Sequence, residues 1–323
     1  MLVVENVTIM KKLTKLTALF ALMIGMLSFV SCDKDDEEKP NIVELAQSNP
    51  NLSILVQAVV KADLATTLSG TGPFTVFAPT NAAFTKLLGD LGFSSLDDVP
   101  VDVLTQILLN HVVSGKILAK DVPTGYASTL ANGPGSSKLS IYFNTASGVK
   151  INGTVNVTTA DVEASNGVVH VVDAVITLPT LATFAVADPT FSTLVGAASA
   201  ASSVGDLTLV QILAGAPGAP QPLTVFAPTN AAFAKIASVI PTLTADQVRD
   251  IILGHVVAGN VRSSALPVSG VSAVNTNFVL DVQTTPSPNI DVTGGSQNVG
   301  IVAVDVQASN GVIHAIESVL LLD

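Results

Sequence analysis

The chain has 323 residues, 48% of them apolar, with no Trp, two Tyr, twelve Phe and a formal charge of −11. That length holds two medium domains with separate cores, which must be built from Val, Leu, Ile and Ala with some Phe. The acidic balance excludes nucleic acid as a partner, because phosphates need clustered Lys and Arg, and a single cysteine, Cys32, excludes an internal disulfide.

Lys11, Lys12 and Lys15 precede an apolar run from Leu16 to Val30, and Ser31-Cys32 follows. A charged start, an apolar middle and a small residue at a cut position predict a secretory signal over residues 1–31. The run is short for a membrane span, which needs about 20 residues. Met10-Lys11-Lys12 would itself make a normal signal start, which leaves open whether residues 1–9 are translated. Removing residues 1–31 takes away three Lys and one Glu, so the mature chain carries −13. The Cys at the cut site makes this segment resemble a bacterial lipoprotein signal, although Phe29 stands where such signals usually carry Leu. The resemblance implies acylation of Cys32 and a membrane partner through that lipid anchor; each buried methylene adds about 0.8 kcal/mol, so several chains on one Cys hold stably. Residues 32–40, with Asp33-Lys34-Asp35-Asp36-Glu37-Glu38-Lys39-Pro40 after the Cys, read as an acidic, solvated tether. That run is also similar to the signal that sends some Gram-negative lipoproteins to the outer face of the outer membrane, and it implies a lipid-anchored protein facing the cell exterior.

From Asn41 apolar residues recur at spacings of three and four (Ile42, Leu45, Ala46, then Leu52, Leu55, Val56, Val59), predicting helices broken at Asn49-Pro50. The same layout returns from Leu181. Thr75 to Phe84 then recurs letter for letter as Thr224 to Phe233, which establishes internal repetition. This block reads as strand, turn and helix start. Thr75 and Phe77 (Thr224, Phe226) lie in the strand, Pro79 (Pro228) ends it, and Thr80 or Asn81 (Thr229 or Asn230) caps a helix. Phe84 (Phe233) enters the core. The second copy inserts a Gly/Pro/Ala loop, Ala214 to Pro222, before its block, and this loop is expected to be exposed. After the block, Leu104, Ile107, Leu108 and His111 predict a helix, as do Val248, Ile251, Ile252 and His255, with a capping box at Thr244 to Gln247 and stops at Gly115 and Gly259. Strands are predicted at 139–143, 149–151 and 155–162. Ser165-Asn166-Gly167 then turns a hairpin into Val168 to Ile176, and Ser309-Asn310-Gly311 turns its copy. Helices first and hairpins later describe an α+β chain with modules at 41–178 and 181–323, joined at Pro179 with little room for a linker.

All four His occupy repeated positions. His111 and His255 continue apolar helical stripes; His170 and His314 alternate with buried strand positions. The expectation is buried, hydrogen-bonded structural rings, with His111 and His170 meeting across the fold. His170 with Asp173, and His314 with Glu317, tempt as dyads, but residues three apart on a strand point to opposite faces. No His-x₃-His, paired Cys, Gly-rich phosphate loop or Gly-x-Ser-x-Gly turn appears in the sequence. Catalytic, metal and cofactor sites are therefore not expected. Asn166-Gly167 and Asn310-Gly311 are expected to serve turn geometry, since both residue types tolerate positive φ.

Three blocks recur in order: 75–84 with 224–233, 107–113 with 251–257, and 164–176 with 308–320. Together they resemble the fasciclin domain twice over, the first block matching that family's first motif and Asn166 to Asp173 its second. The resemblance implies two tandem fasciclin-like domains, each a small β-sandwich or wedge with packed helices. It also implies extracellular modules linked to adhesion, without enzyme activity or cofactor. Integrin-binding members carry a Tyr-His pair after the first motif; Asn110-His111 and Gly254-His255 depart from it, which removes support for that receptor contact. Leu280-Asp281-Val282 is a three-letter adhesion match inside a strand-like run, of low specificity. The expected function is adhesion to an unknown extracellular protein, matrix or glycan. Contact is expected through the loops Ala214–Pro222, Thr129–Ser137 and Thr284–Gln297, which differ between the copies. The alternative is a glycan- or nutrient-binding accessory to an outer-membrane uptake system, which would show a concave pocket with exposed aromatics.

Overall fold

The computed structural model describes residues 39–201, 203–205, 207–266, 270–283, 289–292 and 298–322. The expected signal, Cys32 and the expected tether up to residue 38 lie outside the described residues, as does most of the expected contact loop Thr284–Gln297. The first module begins with α1 (Ile42–Ser48), where Asn41 and Glu44 form a reciprocal capping box. Asn49-Pro50 breaks it, and a 3₁₀ turn leads into α2 (Ser53–Lys61) and α3 (Ala65–Leu68). The repeated block follows as expected: β1 (Phe74–Pro79), a Thr80 cap whose Oγ1 accepts from the Ala83 N–H, and α4 (Asn81–Leu91). Next come α5 (Val101–Leu109), β2 (Val112–Ser114), β3 (Gly125–Asn132), β4 (Lys138–Asn144), β5 (Lys150–Ile151), β6 (Val155–Ala164) and β7 (Gly167–Val172).

The seven strands close into a barrel in chain order, sealed by parallel pairing of β1 with β7. Side chains on β1 alternate between two cores, as the pleat requires. Phe77 points into the barrel with Ile141, Phe143, Ile151, Val172 and Ile176. Val76 and Ala78 point outward under the helices, against Leu55, Phe84, Leu104 and Leu108.

The second module repeats the plan with α6 (Leu181–Ala187), α7 (Ser192–Ala200), α8 (Leu209–Leu213), β8 (Leu223–Pro228), α9 (Asn230–Ala234) and α10 (Ala245–Gly254). Thr244 and Gln247 form the capping box of α10. The strands β9 (Val256–Ala258), β10 (Val271–Ser272), β11 (Val279–Gln283), β12 (Asn289–Val292), β13 (Val299–Ala308) and β14 (Gly311–Ile316) complete it. Its seven strands run β10-β11-β12-β13-β14-β8-β9, and a bridge from Val257 to Ala273 links the two ends of that order. Phe226 and Val225 divide between inner and outer cores as their counterparts do.

Two expectations need correction. The helices do not run to Gly115 and Gly259. They end at Leu109 and Gly254, and short strands intervene before each glycine. The stretch Thr129–Ser137 is not a free loop either. Thr129 to Asn132 belong to β3, and Thr129 is buried, its Oγ1 donating to Leu139 O and Asn110 Oδ1.

Gly133 and Pro134 face the second module, while Gly135 and Ser136 are exposed. A Cβ on Gly133 would lie 3.2 Å from Ala308 O, and Asn260 Nδ2 donates to Pro134 O at 3.4 Å. The Gln307 N–H donates to Ser140 Oγ at 2.9 Å, and Tyr142 is buried in the core of the second module. Tyr126 Oη donates to Asp188 Oδ2 at 3.0 Å, and its ring meets Tyr142 and Phe184. Both phenols are raised in pKa by burial and by the Asp188 carboxylate, which favours the neutral donor form. Residues 40–323 accordingly form one unit.

The interface has changed one repeated pair. On the first module Lys116 and Glu163 make an ion pair at 2.9 Å, both side chains 41% exposed. The equivalent residues of the second module are Asn260 and Gln307. Gln307 is fully buried; its Nε2 donates to Asn260 Oδ1, Ala308 O and Gly311 O. Burying an ion pair there would cost more desolvation than its attraction returns, whereas two amides satisfy each other without charge. Gln307→Glu should therefore lower stability by on the order of 3 kcal/mol. Glu163→Gln should change it by less than about 1 kcal/mol, both measured by equilibrium urea unfolding.

Candidate functional site

The polar residues of the first motif are all used internally. Thr75 Oγ1 donates to Gly115 O at 2.7 Å and accepts from the Ile117 N–H at 2.9 Å; Thr224 does the same with Gly259 O and Val261 N. Each Thr thus fastens the chain leaving the helix-to-strand corner. Thr80 and Thr229 cap the following helices. Asn81 caps elsewhere: its Oδ1 accepts from the Ile54 N–H at the start of α2, and its Nδ2 donates to Pro50 O and Ser53 Oγ. Asn230 holds Thr193, Pro189 and Ser192 identically. Phe77, Phe84, Phe226 and Phe233 are buried, and Pro79 and Pro228 close their strands in register with Val172 and Ile316.

The four His rings are buried as expected, but His111 does not bond His170. His111 Nδ1 donates to Ile107 O at 2.7 Å, and its Nε2 accepts from the Ile176 N–H at 2.9 Å. His255 bonds Ile251 O and Leu320 N in the same way. His170 takes the opposite tautomer: Nε2 donates to Ile117 O and Nδ1 accepts from the Asp161 N–H. His314 repeats this with Val261 and Asp305. Each ring spends both nitrogens on backbone groups, and His170 and His314 also stack on Phe77 and Phe226. For His111, His255 and His314 this takes one N–H and one bare nitrogen, so the neutral ring fits. Asn110, before His111, is fully buried and bonds Thr177 O and Thr129 Oγ1. At Gly254, before His255, a Cβ would lie 2.6 Å from the Phe278 ring, so Phe278 fills the space.

In the second motif, Asn166 and Asn310 do more than turn the chain, and neither adopts positive φ. Asn166 Oδ1 accepts from the Ile42 N–H at the start of α1, and its Nδ2 donates to Leu68 O and Gly70 O. Asn310 likewise joins Leu181 N to Leu213 O. Gly167 and Gly311 are required by close approach, since a Cβ would lie 2.0 Å from Phe74 O or Leu223 O. Asp173 accepts from Asn156 N and Nδ2, and Glu317 accepts from Gly300 N; neither bonds the nearby His. The sequence reading missed Asp161 and Asp305. They sit at positive φ within irregular stretches of β6 and β13, each with an N–H on a His Nδ1 and a carboxylate on Ala119 N or Ser263 N. Their recurrence at matched positions was the available signal.

Among the described residues no cluster of three His, Cys, Asp or Glu could hold a metal. Leu280 and Val282 are buried and Asp281 accepts from Gly270 N, so the three-letter adhesion match does not form an exposed contact. Ala214 to Pro222 is open: Ala214, Gly215, Pro217, Gly218, Pro220 and Gln221 are exposed, and Gly215 and Gly218 take positive φ. Its base is held by Asn310 Nδ2 on Leu213 O and Gln221 Nε2 on Ile212 O.

Burial lowers the pKa of His111 and His255 from 6.5 to about 4, and burial also lowers His314. The unfolded chain thus takes up protons first. Stability should be complete above about pH 6.5 and fall as the pH drops towards 4, by on the order of 3 kcal/mol per fully buried ring. Urea unfolding at pH 7 and pH 4.5 measures this fall, and His111→Gln should flatten it.

Comparison with known proteins agrees with this architecture. Protein sll1483 of Synechocystis is 40% identical over 181 residues, covering 52% of this chain and 97% of that protein. Transforming growth factor-beta-induced protein ig-h3 of Sus scrofa is 30% identical over 79% of this chain, which spans 36% of its length. A solved FAS1 domain pair from the insect cell adhesion molecule fasciclin I shares the fold, with a TM-score of 0.50 at 20% identity, over 85% of this chain and 98% of that one. The fasciclin domain model matches residues 50–179 and again 189–322, and on that double match the chain belongs to the fasciclin domain family.

Proposed function

We propose that this chain is a non-enzymatic adhesion or binding protein of the outer membrane, held by a lipid on Cys32 and facing the cell exterior. Its partner is an extracellular protein, a matrix component or a glycan, bound without a cofactor. Membership of the fasciclin domain family supports the binding role, as does the shared fold with fasciclin I, an insect cell adhesion molecule. The observation that carries the reading is the division of labour in the repeat. Motif side chains are consumed by backbone bonds, while Ala214–Pro222, four residues longer than its counterpart Ser69–Pro73 in the first module, stands exposed on a tied base. A variable loop on a fixed scaffold is where contact specificity changes without cost to the core. The uptake-accessory alternative gains no support, because among the described residues every Phe and Tyr is buried or half-buried, leaving no exposed ring for sugar stacking.

Residues 40–323 on a glycan and matrix array should bind at least one partner, and replacing Ala214–Pro222 by a short Gly-Ser link should weaken that binding by about tenfold or more. Signals confined to sugars and indifferent to the loop would favour the alternative. For the anchor, Cys32→Ala should release the protein from membrane fractions; unchanged retention would exclude lipid attachment there.

A further inference from the structure

The two modules differ where the first motif's helix ends. From Phe84 to His111 the first module is five residues longer than the second is from Phe233 to His255. In the first module the extra stretch lies over the helical core: Phe93 and Leu96 are half-buried and Val99 is buried. It is tied down by Lys61, whose Nζ donates to Leu96 O, Asp97 O and Val99 O. In the second module the covering stretch is missing and Ala200 stands in the place of Lys61. A cleft of about 270 Å³ opens there, with Ala197, Ala200, Ile236, Ile240, Val248 and Ile251 among its walls. Every lining side chain is apolar.

Two cations flank this cleft in sequence, and Arg249, next to Val248, is paired with Asp246 and Asp250, whereas Lys235 has no carboxylate partner among the described residues. Lys235 Nζ donates to Ser318 Oγ at 2.8 Å, joining the two segments whose next residues, Ile236 and Val319, line the wall. The matching lysine of the first module, Lys86, is neutralised by Asp90 at 2.6 Å. Val239 replaces that aspartate in the second module, so Lys235 meets a neutral hydroxyl in place of a carboxylate. An apolar chamber with a cation at its edge is complementary to one class of molecule, a hydrocarbon chain ending in an anion. The volume is just below the roughly 300–1,000 Å³ of drug-sized sites, which suits a single chain and not the paired chains of a phospholipid.

We propose that the cleft of the second module binds a free medium-chain aliphatic carboxylate, its tail between α7 and α10 and its head group on Lys235 Nζ. Isothermal titration of the purified full chain with hexanoate, octanoate and decanoate tests this, each below its micelle concentration. Affinity should rise about fourfold per added methylene until the cleft is full. Decanol should bind at least about tenfold more weakly than decanoate, and Lys235→Gln should bring decanoate down to the level of decanol. Ala200→Leu, at an exposed helix position, should weaken decanoate and decanol alike while leaving the thermal midpoint unchanged. No heat with decanoate, equal affinity for decanol and decanoate, or decanoate binding that ignores both substitutions would each overturn the proposal.

Discussion

Parallel pairing between the first motif strand and the second motif strand is the contact on which each module depends. Phe74 to Pro79 lies beside Gly167 to Val172, and Leu223 to Pro228 beside Gly311 to Ile316, so segments remote in sequence become neighbours. A parallel pair cannot be closed by a short turn, and all the chain between the two strands becomes its crossover. The buried polar side chains make sense as the means of pinning that crossover. Thr75 holds the exit from the corner at Gly115, His111 reaches Ile176, His170 reaches Ile117, and Asn166 ties the hairpin to the first and third helices. Each of these bonds joins a side chain to backbone that the regular ladders leave unpaired. A buried N–H or C=O without a partner costs about 1–3 kcal/mol, so a handful of such residues contributes on the scale of the net stability of a domain.

Much of this was legible from residue patterns because the relevant physics is local. The repeated block carries its own strand residues, proline stop and threonine cap, and the structure uses all three as read. The burial of the histidines followed from their spacing. What the pattern could not show was where a polar side chain finds its partner. Asn81 reads as a local cap, yet it caps a helix from another segment. Asn166 reads as a turn residue, yet its side chain spans three elements. The helix stop was misplaced because His111 continues the apolar spacing of the helix, although the chain already turns at Asn110 to enter β2. The third strand was overlooked because Gly125 to Asn132 mixes Tyr, Ser, Thr and Ala without a clean alternation. Its inward residues are specified by contact with β4 and with the second module.

Comparing the two modules position by position separates what the fold requires from what context has altered. Thr75, Asn81, His111, Asp161 and His170 recur with equivalent hydrogen-bond partners in both copies, Asn166 keeps its bonds to the first helix and to the end of the third, and Gly167 recurs as a point of close approach. Asn110 gives way to Gly254, with Phe278 occupying the vacated volume, so a polar anchor is exchanged for an aromatic one without opening a cavity. Lys116 and Glu163 give way to an amide pair where the neighbouring module covers them. These are compensated changes, in which two positions move together because neither residue alone is compatible with the other's former partner.

The amide pair also gives the tandem a direction. The first module offers its barrel face, through Ser140, Tyr142 and the Gly133 turn, and the second receives it on Gln307 and Ala308. The equivalent receiving surface on the first module still carries the Lys116–Glu163 charges, which reject an apolar neighbour. Exchanging the order of the modules would seal those charges under protein and leave the amide pair facing water. The duplicated halves have become a head and a tail, and a longer array could not be built by repeating either half alone.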